Sequence, residues 1–364
     1  MDPVAAIVMG EYGTDPDEIL SLVLAARLCR LGYLDLVAVV GNHRPAKHRA
    51  MQAKATLDSL GFGTVPVGMG EEGFSASGPG YETDPRFLAV PSKIQRGRSM
   101  LRWVLEQSED DSIVLILNSG FTDAVWLWLD RPDLFLQKIQ RVVIMGGVEA
   151  QGNEPHLSPE GHLLPSLGRG GAANNCFDPG ATRHLFDTLQ RHGVPMKVTT
   201  RHSAYRAKLP FQVFRDLANT GHPTGVILNE RQAASINALW RKINAPVGSN
   251  ERGTLPGDRD VAWFATTFCD GKEPPITADE DVTPYIRWIT LYDPLNLIAA
   301  IPGLSQRFYA PQTVEVPSYR GATMHHIIGV SNQNHGVADP EGLRDFVQDE
   351  LTLALAGAVS ELGH

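Results

Sequence analysis

The chain has 364 residues, 43% of them hydrophobic, and a formal net charge of −9. This composition is typical of a globular protein, and the negative charge without any Lys/Arg block argues against a nucleic-acid partner. No apolar run reaches membrane-spanning length and no signal-peptide pattern opens the chain, so we expect a cytoplasmic protein without a membrane partner. Three widely spaced cysteines favour a reducing compartment over a disulfide framework.

The first half of the chain alternates apolar runs with segments of helical length. An apolar run begins at Ala5, passes through a loop with four acids, and continues as an apolar helical segment to Leu31. Further compact apolar runs, each followed by glycine or polar residues, predict buried strands at 35–42, 64–70, 113–117, 141–147 and 194–200. Helical spacing is found at 45–60, from Asp123 onward and at 178–189. Residues 71–91, rich in Gly, Pro, Ser and acids, predict a long loop.

The second half of the chain has a different pattern of predicted elements. Residues 209–301 are predicted to be mostly helical, and residues 312–330 are more strand-like. Buried strands alternating with helices predict an α/β fold, with a mainly parallel central sheet flanked by helices and a helical C-terminal half. No linker or internal repeat interrupts the chain, so we expect one domain over residues 1–364.

Polar residues cluster where the predicted strands end, which is where ligand sites form in such sheets. The first cluster is an acidic loop with Glu11, Asp15, Asp17 and Glu18. Several carboxylates in a tight loop suit a hard cation such as calcium. For the loop taken alone, a helix cap is the favoured interpretation, with Asp15 or Asp17 capping and Glu18 in the first turn. Further along the chain, no GxGxxG follows the first strand, and GxxxxGK[ST], GxSxG and HExxH are missing from the sequence.

Five short pieces then occur in a fixed order: VVGN, SGFTD, VVIMGG with GN shortly after, NNCFDP and YDPL. In this order they resemble the inosine–uridine-preferring nucleoside hydrolases, from about Ile7 to Pro302. The resemblance implies a nucleoside-hydrolase-like fold and a calcium-dependent enzyme that hydrolyses the N-glycosidic bond of ribonucleosides. It also implies a small nucleoside-like substrate and a homo-oligomer.

The opening motif departs from that family. The family pattern DxDxGxDD is replaced by EYGTDPDE, which places Glu11 on the first Asp, Gly13 on the second, and Asp17 and Glu18 on the closing pair. The second Asp is a calcium ligand and the usual general base. The shape of the loop is similar to a divergent branch that includes type III secretion effectors. Either Glu11 or Asp15 could replace the missing aspartate.

The resemblance assigns roles residue by residue. It implies a metal site, a sugar-binding set and a catalytic set. The metal ligands are Glu11, Asp15, Glu18, the carbonyl of Thr122, and Asp293. The sugar contacts are Asp17, Asn42, Asn153 and Asn174. The catalytic residues are Asp15, Asp17 and Tyr292.

Three further departures affect the sugar and the leaving group. Ala172 stands where the family has a ribose-binding glutamate, and an insertion separates Asn153 from Asn174. Tyr292 stands where some members have a histidine that protonates the leaving base, and a tyrosine near its ordinary pKa is a weaker acid. The aromatic residues Trp263, Phe264 and Phe268 fall where the family places helices over the pocket, and they offer stacking surface for a base or packing for the core. We therefore predict a calcium-dependent N-ribosyl hydrolase, with a non-catalytic protein that binds a ribose-containing ligand as the alternative.

Overall fold

A computed structural model describes residues 2–13, 15–73, 86–168, 170–253, 255 and 257–362. The predicted loop over residues 71–91 therefore lies partly outside the described residues.

The N-terminal half follows the predicted alternation of strands and helices. Its elements are β1 (Val4–Gly10), α1 (Pro16–Arg30), β2 (Leu34–Gly41), α2 (Ala46–Ser59), β3 (Val67–Met69), β4 (Gln95–Arg96), α3 (Gly97–Gln107), β5 (Ile113–Leu117), α4 (Thr122–Asp130), α5 (Pro132–Lys138) and β6 (Ile139–Gly146). A single 3-10 turn covers Pro91–Lys93. All predicted strands and helices of this half are present, with boundaries shifted by a few residues.

The rest of the chain adds one inner strand, a helical region and an antiparallel edge. Its elements are β7 (Ala150–Gln151), β8 (Glu154–Pro155), α6 (Ala173–Phe177), α7 (Pro179–His192), β9 (Met196–Thr200), α8 (Arg201–Ala204), β10 (Leu209–Pro210), α9 (Gln212–Asn219), α10 (Pro223–Asn244), α11 (Val261–Phe268), β11 (Trp288–Ile289), α12 (Asp293–Ala300), α13 (Pro302–Phe308), β12 (Gln312–Ser318), β13 (Gly321–Ile328) and α14 (Pro340–Leu362). A second 3-10 turn covers Thr283–Tyr285. The predicted helical stretch and the strand-like tail are both confirmed.

Within the described residues, nine strands form the central sheet, in the order β12-β13-β9-β6-β5-β1-β2-β3-β4. All neighbouring pairs are parallel except β12 with β13. All five residues of β5 are buried, as expected for a strand covered by helices on both faces. The predicted α/β fold with a mainly parallel sheet is confirmed. Among the described helices, none combines the length and apolarity needed to cross a bilayer.

Helix α1 begins at the acidic loop, and its local sequence explains why. Asp15 is the N-cap and accepts a hydrogen bond from the main-chain N–H of Asp17 at 3.2 Å. Pro16 occupies the first turn, where its missing N–H costs nothing. The helix-cap interpretation of the loop is therefore correct for Asp15. Twelve of the 15 residues of α1 are buried, so the helix lies inside the protein and its first turn faces protein groups rather than solvent.

The strands β1, β5, β6 and β9 are neighbours in the sheet, and their carboxyl ends lie side by side. They end at Gly10, Leu117, Gly146 and Thr200. The polar segments that follow these strands therefore meet at one edge, as the parallel arrangement predicts.

Candidate active site

Asp17 joins the beginning of α1 to the beginning of α12. Its Oδ2 accepts hydrogen bonds from the main-chain N–H groups of Tyr292, at 2.8 Å, and Asp293, at 3.2 Å. Its Oδ1 is buried without a hydrogen-bond partner in the described structure. One oxygen thus fixes the orientation of the carboxyl group, and the other is left available within the cavity that it lines.

Three buried acids line this cavity, and within the described residues no cation lies at ion-pair distance from any of them. Asp17, Glu18 and Asp293 are each less than 8% exposed. Burial raises the pKa of each carboxyl group well above its ordinary value, and the neighbouring acids raise it further. An Oε2 atom of Glu18 is also buried without a partner. A cluster of this kind is poorly stable as three anions unless protons or a cation neutralise it.

Glu11 lies on the side of the cluster that has a counter-charge. Its Oε2 is 3.6 Å from an Arg49 guanidinium nitrogen and 3.9 Å from Nε2 of His43. Burial raises the pKa of Glu11 to about 7, although Arg49 opposes the shift. Burial lowers the pKa of His43 to about 4, so this imidazole is neutral at pH 7. Arg49 is therefore the cation that faces Glu11.

Two buried arginines hold the backbone of the acidic loop. An Arg49 N–H donates to the carbonyl of Glu11, and an Arg231 N–H donates to the carbonyl of Gly13 at 2.5 Å. Arg49 also explains why residue 13 is a glycine, because a Cβ atom there would lie 2.7 Å from an Arg49 guanidinium nitrogen. Arginine thus occupies the space next to the position where the resembling family has its second aspartate.

Two asparagines also line this cavity. Asn174 donates from Nδ2 to the carbonyls of Asn118, at 2.9 Å, and Met145, at 3.0 Å. Asn118 donates to the hydroxyl of Ser21 at 3.3 Å. These bonds use the nitrogen of Asn174, which fixes its amide at the ends of β5 and β6. The predicted sugar contact at Asn174 therefore lines the same cavity as the acids.

Three predicted residues do not line the acidic cavity. Asn42 is buried and donates to the carbonyl of Gly120 at 3.2 Å, and Thr122 donates from Oγ1 to Asp178 at 2.9 Å. Asn153 lies between β7 and β8, where it bonds to Gln333 at 2.8 Å. None of the three is among the described residues that line the cavities at the strand ends. The structure thus brings Glu11, Asp15, Asp17, Glu18, Asn174, Tyr292 and Asp293 together, but not Asn42, Thr122 or Asn153.

Two adjoining cavities open at this edge of the sheet. The smaller has a volume of about 400 Å³ and is lined by the acids and by Asn118 and Asn174. The larger has a volume of about 780 Å³ and is lined by aromatic and basic side chains, including Trp263 and Phe268. The insertion before Asn174 contributes Ser166 to the smaller cavity. Residues that line both cavities form their common boundary: Asp15, Asp17, Arg201, His202, Tyr205 and Tyr292.

Tyr292 is half-buried on this boundary, and its ring centroid is 6.4 Å from that of Tyr205. Burial raises the pKa of the Tyr292 phenol well above its ordinary value, and Tyr205 and Asp17 raise it further. The phenol is therefore protonated at neutral pH. It can donate a hydrogen bond, but it transfers a proton less readily than an ordinary tyrosine.

The donor set is suited to a hard divalent cation in its chemistry. Carboxylate oxygens of Glu18 and Asp17 are buried without partners, and several acids repel each other across one cavity. Among the residues that the structure describes, however, no three acidic, imidazole or thiol groups are spaced closely enough to form a metal-binding group. The fit therefore rests on charge and on oxygen chemistry, not on a preformed ligand shell.

Several residues of this site carried no recognisable signal in the sequence. Arg49 and Arg231 lie within the helices α2 and α10, where a single arginine is ordinary. Arg201 and Tyr205 directly follow the strand β9, so the same rule that identified the acidic loop could have identified them.

Comparisons with known proteins show which solved structures have a similar fold. No protein-family model matches the sequence. No curated protein matches it significantly. The type III effector protein XopQ, solved in complex with adenosine diphosphate ribose, is 26% identical with a TM-score of 0.82, covering 98% of this chain and 95% of XopQ. The effector protein XOO4466 is 26% identical with a TM-score of 0.79 over the same shares of the two chains. A purine-preferring ribonucleoside hydrolase from Gardnerella vaginalis is 14% identical with a TM-score of 0.56, covering 98% of this chain and 99% of the hydrolase.

The nucleoside-hydrolase-like fold predicted from the five motifs is therefore confirmed. The similarity to XopQ fits the predicted divergent branch. The low identity to the hydrolase shows the shared fold alone.

Proposed function

We propose that the protein binds a ribose-containing ligand at the acidic cavity and hydrolyses its N-glycosidic bond, with a ribonucleoside or related N-riboside as substrate. The observation that carries this proposal is the group of buried acids Asp17, Glu18 and Asp293, which line one cavity together with Asn174. An isolated buried carboxylate is costly, and such groups concentrate at functional sites. The fold is also the one in which nucleoside hydrolases are built.

The same acids support the proposal of a calcium cofactor. Glu11, Asp15, Glu18 and Asp293 would hold the ion, since all four line the smaller cavity. We leave Thr122 out of this set because it lies away from that cavity. When bound, calcium would orient and acidify the attacking water.

The protein's own groups supply the remaining chemistry. Asp17 is oriented by the two N–H groups of α12, and its unpaired Oδ1 would accept a ribose hydroxyl. Asp15 is solvent-exposed at the boundary of the cavities, where its carboxylate would accept a proton from water. Tyr292 would donate a hydrogen bond to the departing group. Cleavage of an N-riboside passes through a state with oxocarbenium character, so the anionic wall stabilises the developing positive charge on the sugar.

Ribose release tests this proposal. Wild-type protein is incubated with a panel of ribonucleosides and N-ribosides in calcium buffer, and free ribose is measured. We expect release from at least one compound and a loss of ~100-fold or more in Asp17→Asn. Asp349→Asn is the matched control, because Asp349 is exposed on α14. Release that survives in Asp17→Asn would refute the assignment of that residue.

A calcium experiment tests the cofactor separately. The thermal midpoint of the wild type is measured in EDTA, in CaCl2 and in MgCl2, and bound metal is determined after gel filtration. Calcium should raise the midpoint, since a ligand that binds only the folded state stabilises it, and Glu18→Gln should reduce the rise. Equal midpoints in EDTA and CaCl2, with no bound calcium, would eliminate the cofactor.

A second candidate is a protein that binds such a ligand without turning it over. The observation in its favour is that XopQ, the similar effector, is described in complex with adenosine diphosphate ribose. The high pKa of Tyr292 points the same way, because it weakens proton donation to a leaving group. This candidate predicts that ribose-containing ligands raise the thermal midpoint although no ribose is released from any of them.

A further inference from the structure

The larger cavity carries basic side chains that the acidic site does not use. Arg201, Arg206, Lys208 and Arg259 all line it. Within the described residues, no carboxylate lies at ion-pair distance from any of these four groups, although exposed arginines elsewhere are paired, for example Arg191 with Asp187 at 2.6 Å. Four unpaired cations in one cavity are unexpected in a chain whose net charge is −9. They make one end of the combined site positive while the other end is negative.

The contacts of these side chains leave donors available. Arg201 donates one N–H to the carbonyl of Gly170 at 2.6 Å, and Lys208 donates to the carbonyl of Thr267 at 2.9 Å. These neutral partners fix the two side chains without cancelling their charge. An arginine has five N–H donors in a planar fork that matches a phosphate group, so most of its capacity remains unused here.

An aromatic surface lies next to the cations. The guanidinium carbon of Arg259 is 4.8 Å from the ring centroid of Trp263, and the Trp263 and Phe268 rings contact edge to face at 5.7 Å. Trp263 and Phe268 are half-buried, whereas Phe264 of the same helix is fully buried against Trp240. Basic groups beside an exposed ring edge are the chemistry that recognises phosphate and a planar base together.

We propose that the larger cavity is an anion subsite that binds the phosphate groups of the ligand, so that the ligand is a nucleotide-type riboside rather than a free nucleoside. This inference rests on the proposed function for the position of the ribose. The two cavities meet at Asp17, Arg201 and Tyr292, so one ligand can span both. The acids repel phosphate and the cations attract it, which fixes the orientation of the ligand: ribose toward Asp17, phosphate toward Arg201 and Arg259.

Equilibrium binding tests the subsite without any need for turnover. Affinities are measured by calorimetry in the Asp17→Asn background, at constant ionic strength, for adenosine, AMP, ADP, ADP-ribose and inorganic pyrophosphate. The expected result is that the nucleotides bind at least ~10-fold more tightly than adenosine, the effect of a single charge-assisted contact. We also expect pyrophosphate to compete with ADP.

Two variants localise the effect. Arg206→Gln removes an exposed guanidinium, and Arg201→Gln removes one at the boundary; each should lower the nucleotide-to-nucleoside affinity ratio by ~10-fold. Arg183→Gln is the matched control, since Arg183 is exposed on α7 and lines neither cavity. Circular dichroism and the thermal midpoint verify that each variant is folded.

The outcomes separate this inference from the proposed function. A nucleotide preference that falls in Arg206→Gln and Arg201→Gln supports the subsite even if no riboside is ever hydrolysed. Equal affinity for adenosine and ADP, no binding of pyrophosphate or nucleotides, or an equal loss in Arg183→Gln would each overturn it. Ribose release from nucleosides without any phosphate preference would uphold the proposed function and refute the subsite.

Discussion

Asp123 is a buried aspartate whose raised pKa should make the free energy of unfolding depend on pH. The residue is 2% exposed and accepts hydrogen bonds from the main-chain N–H of Glu71 at 3.0 and 3.2 Å. Burial raises its pKa to about 7; the hydrogen bonds from the Asn42 side chain and the Glu71 main chain and the charge of Arg98 oppose the shift, while the charge of Glu71 adds to it. Replacing Asp123 with asparagine keeps an oxygen acceptor for the Glu71 N–H and removes the charge.

The magnitude follows from the difference in pKa between the folded and unfolded states. The unfolded carboxyl group titrates near its ordinary value of 3.8 and the folded one at about 7. The folded state therefore binds the proton more tightly, and the free energy of unfolding falls as pH rises from below 4 through 7. The loss from this group is ~1.5 kcal/mol at pH 5 and ~4 kcal/mol at pH 8. Asp123→Asn should thus gain roughly 2.5 kcal/mol over the wild type between these two pH values.

Urea unfolding followed by tryptophan fluorescence at pH 5 and pH 8 measures this gain. The wild type, Asp123→Asn and Asp349→Asn are compared; the other buried acids titrate in all three proteins, so their effect cancels in the differences. Asp349→Asn should differ from the wild type equally at both pH values. If Asp123→Asn also shows the same difference at pH 5 and pH 8, the raised pKa of Asp123 is refuted.

Three further predictions use the same unfolding assay. Asn174→Ala should lower the free energy of unfolding by ~2–4 kcal/mol, because it leaves two main-chain carbonyls without their donor; an unchanged value would contradict the bonds at the strand ends. Asp178→Ala removes the N-cap of α7 and the partner of Thr122, and should cost ~1–2 kcal/mol, whereas Thr122→Val should remove only the smaller part. Gly13→Ala places a methyl group 2.7 Å from the Arg49 guanidinium and should cost ~1–3 kcal/mol. In an Arg49→Met background that cost should shrink, and a double-mutant cycle with no coupling would show that the two residues do not interfere.

Most of the fold could be predicted because its inner strands are continuous apolar runs. β5 is five buried residues in sequence, and β6 repeats the pattern before a glycine. The strand β4 was not predicted: it consists of two exposed polar residues, Gln95 and Arg96, and depends on pairing with β3 rather than on its own composition. The order of the strands in the sheet also lies beyond local patterns, since it is set by contacts between segments far apart in the chain.

The acids of the site could be predicted because a parallel sheet brings strand ends together, whatever the order of the strands. The arginines that lie near those acids or line the adjoining cavity could not be predicted. Arg49 contacts Glu11 across 38 residues and Arg231 contacts Gly13 across 218 residues. A helix-borne arginine leaves no mark of such a partner in its own neighbourhood. Arg206 and Arg259 lie outside the helices, and they were missed because only the folded chain brings them to one cavity.

The pairing of Gly13 with Arg49 alters the charge pattern of the site. The family that the sequence resembles has an aspartate at the position of Gly13. In this protein the Arg49 guanidinium lies next to that position, so a positive charge is found where the family has a carboxylate. Burial raises the pKa values of Glu11, Glu18 and Asp293, but only at Glu11 does a neighbouring cation, Arg49, oppose the shift. The negative charge that lacks a counter-charge is therefore concentrated at the first turns of α1 and α12. Because Arg49 repels a cation, we expect Glu18 and Asp293 to hold any bound calcium more closely than Glu11 does. The space beside Gly13 would then be the part of the site least like that of a nucleoside hydrolase.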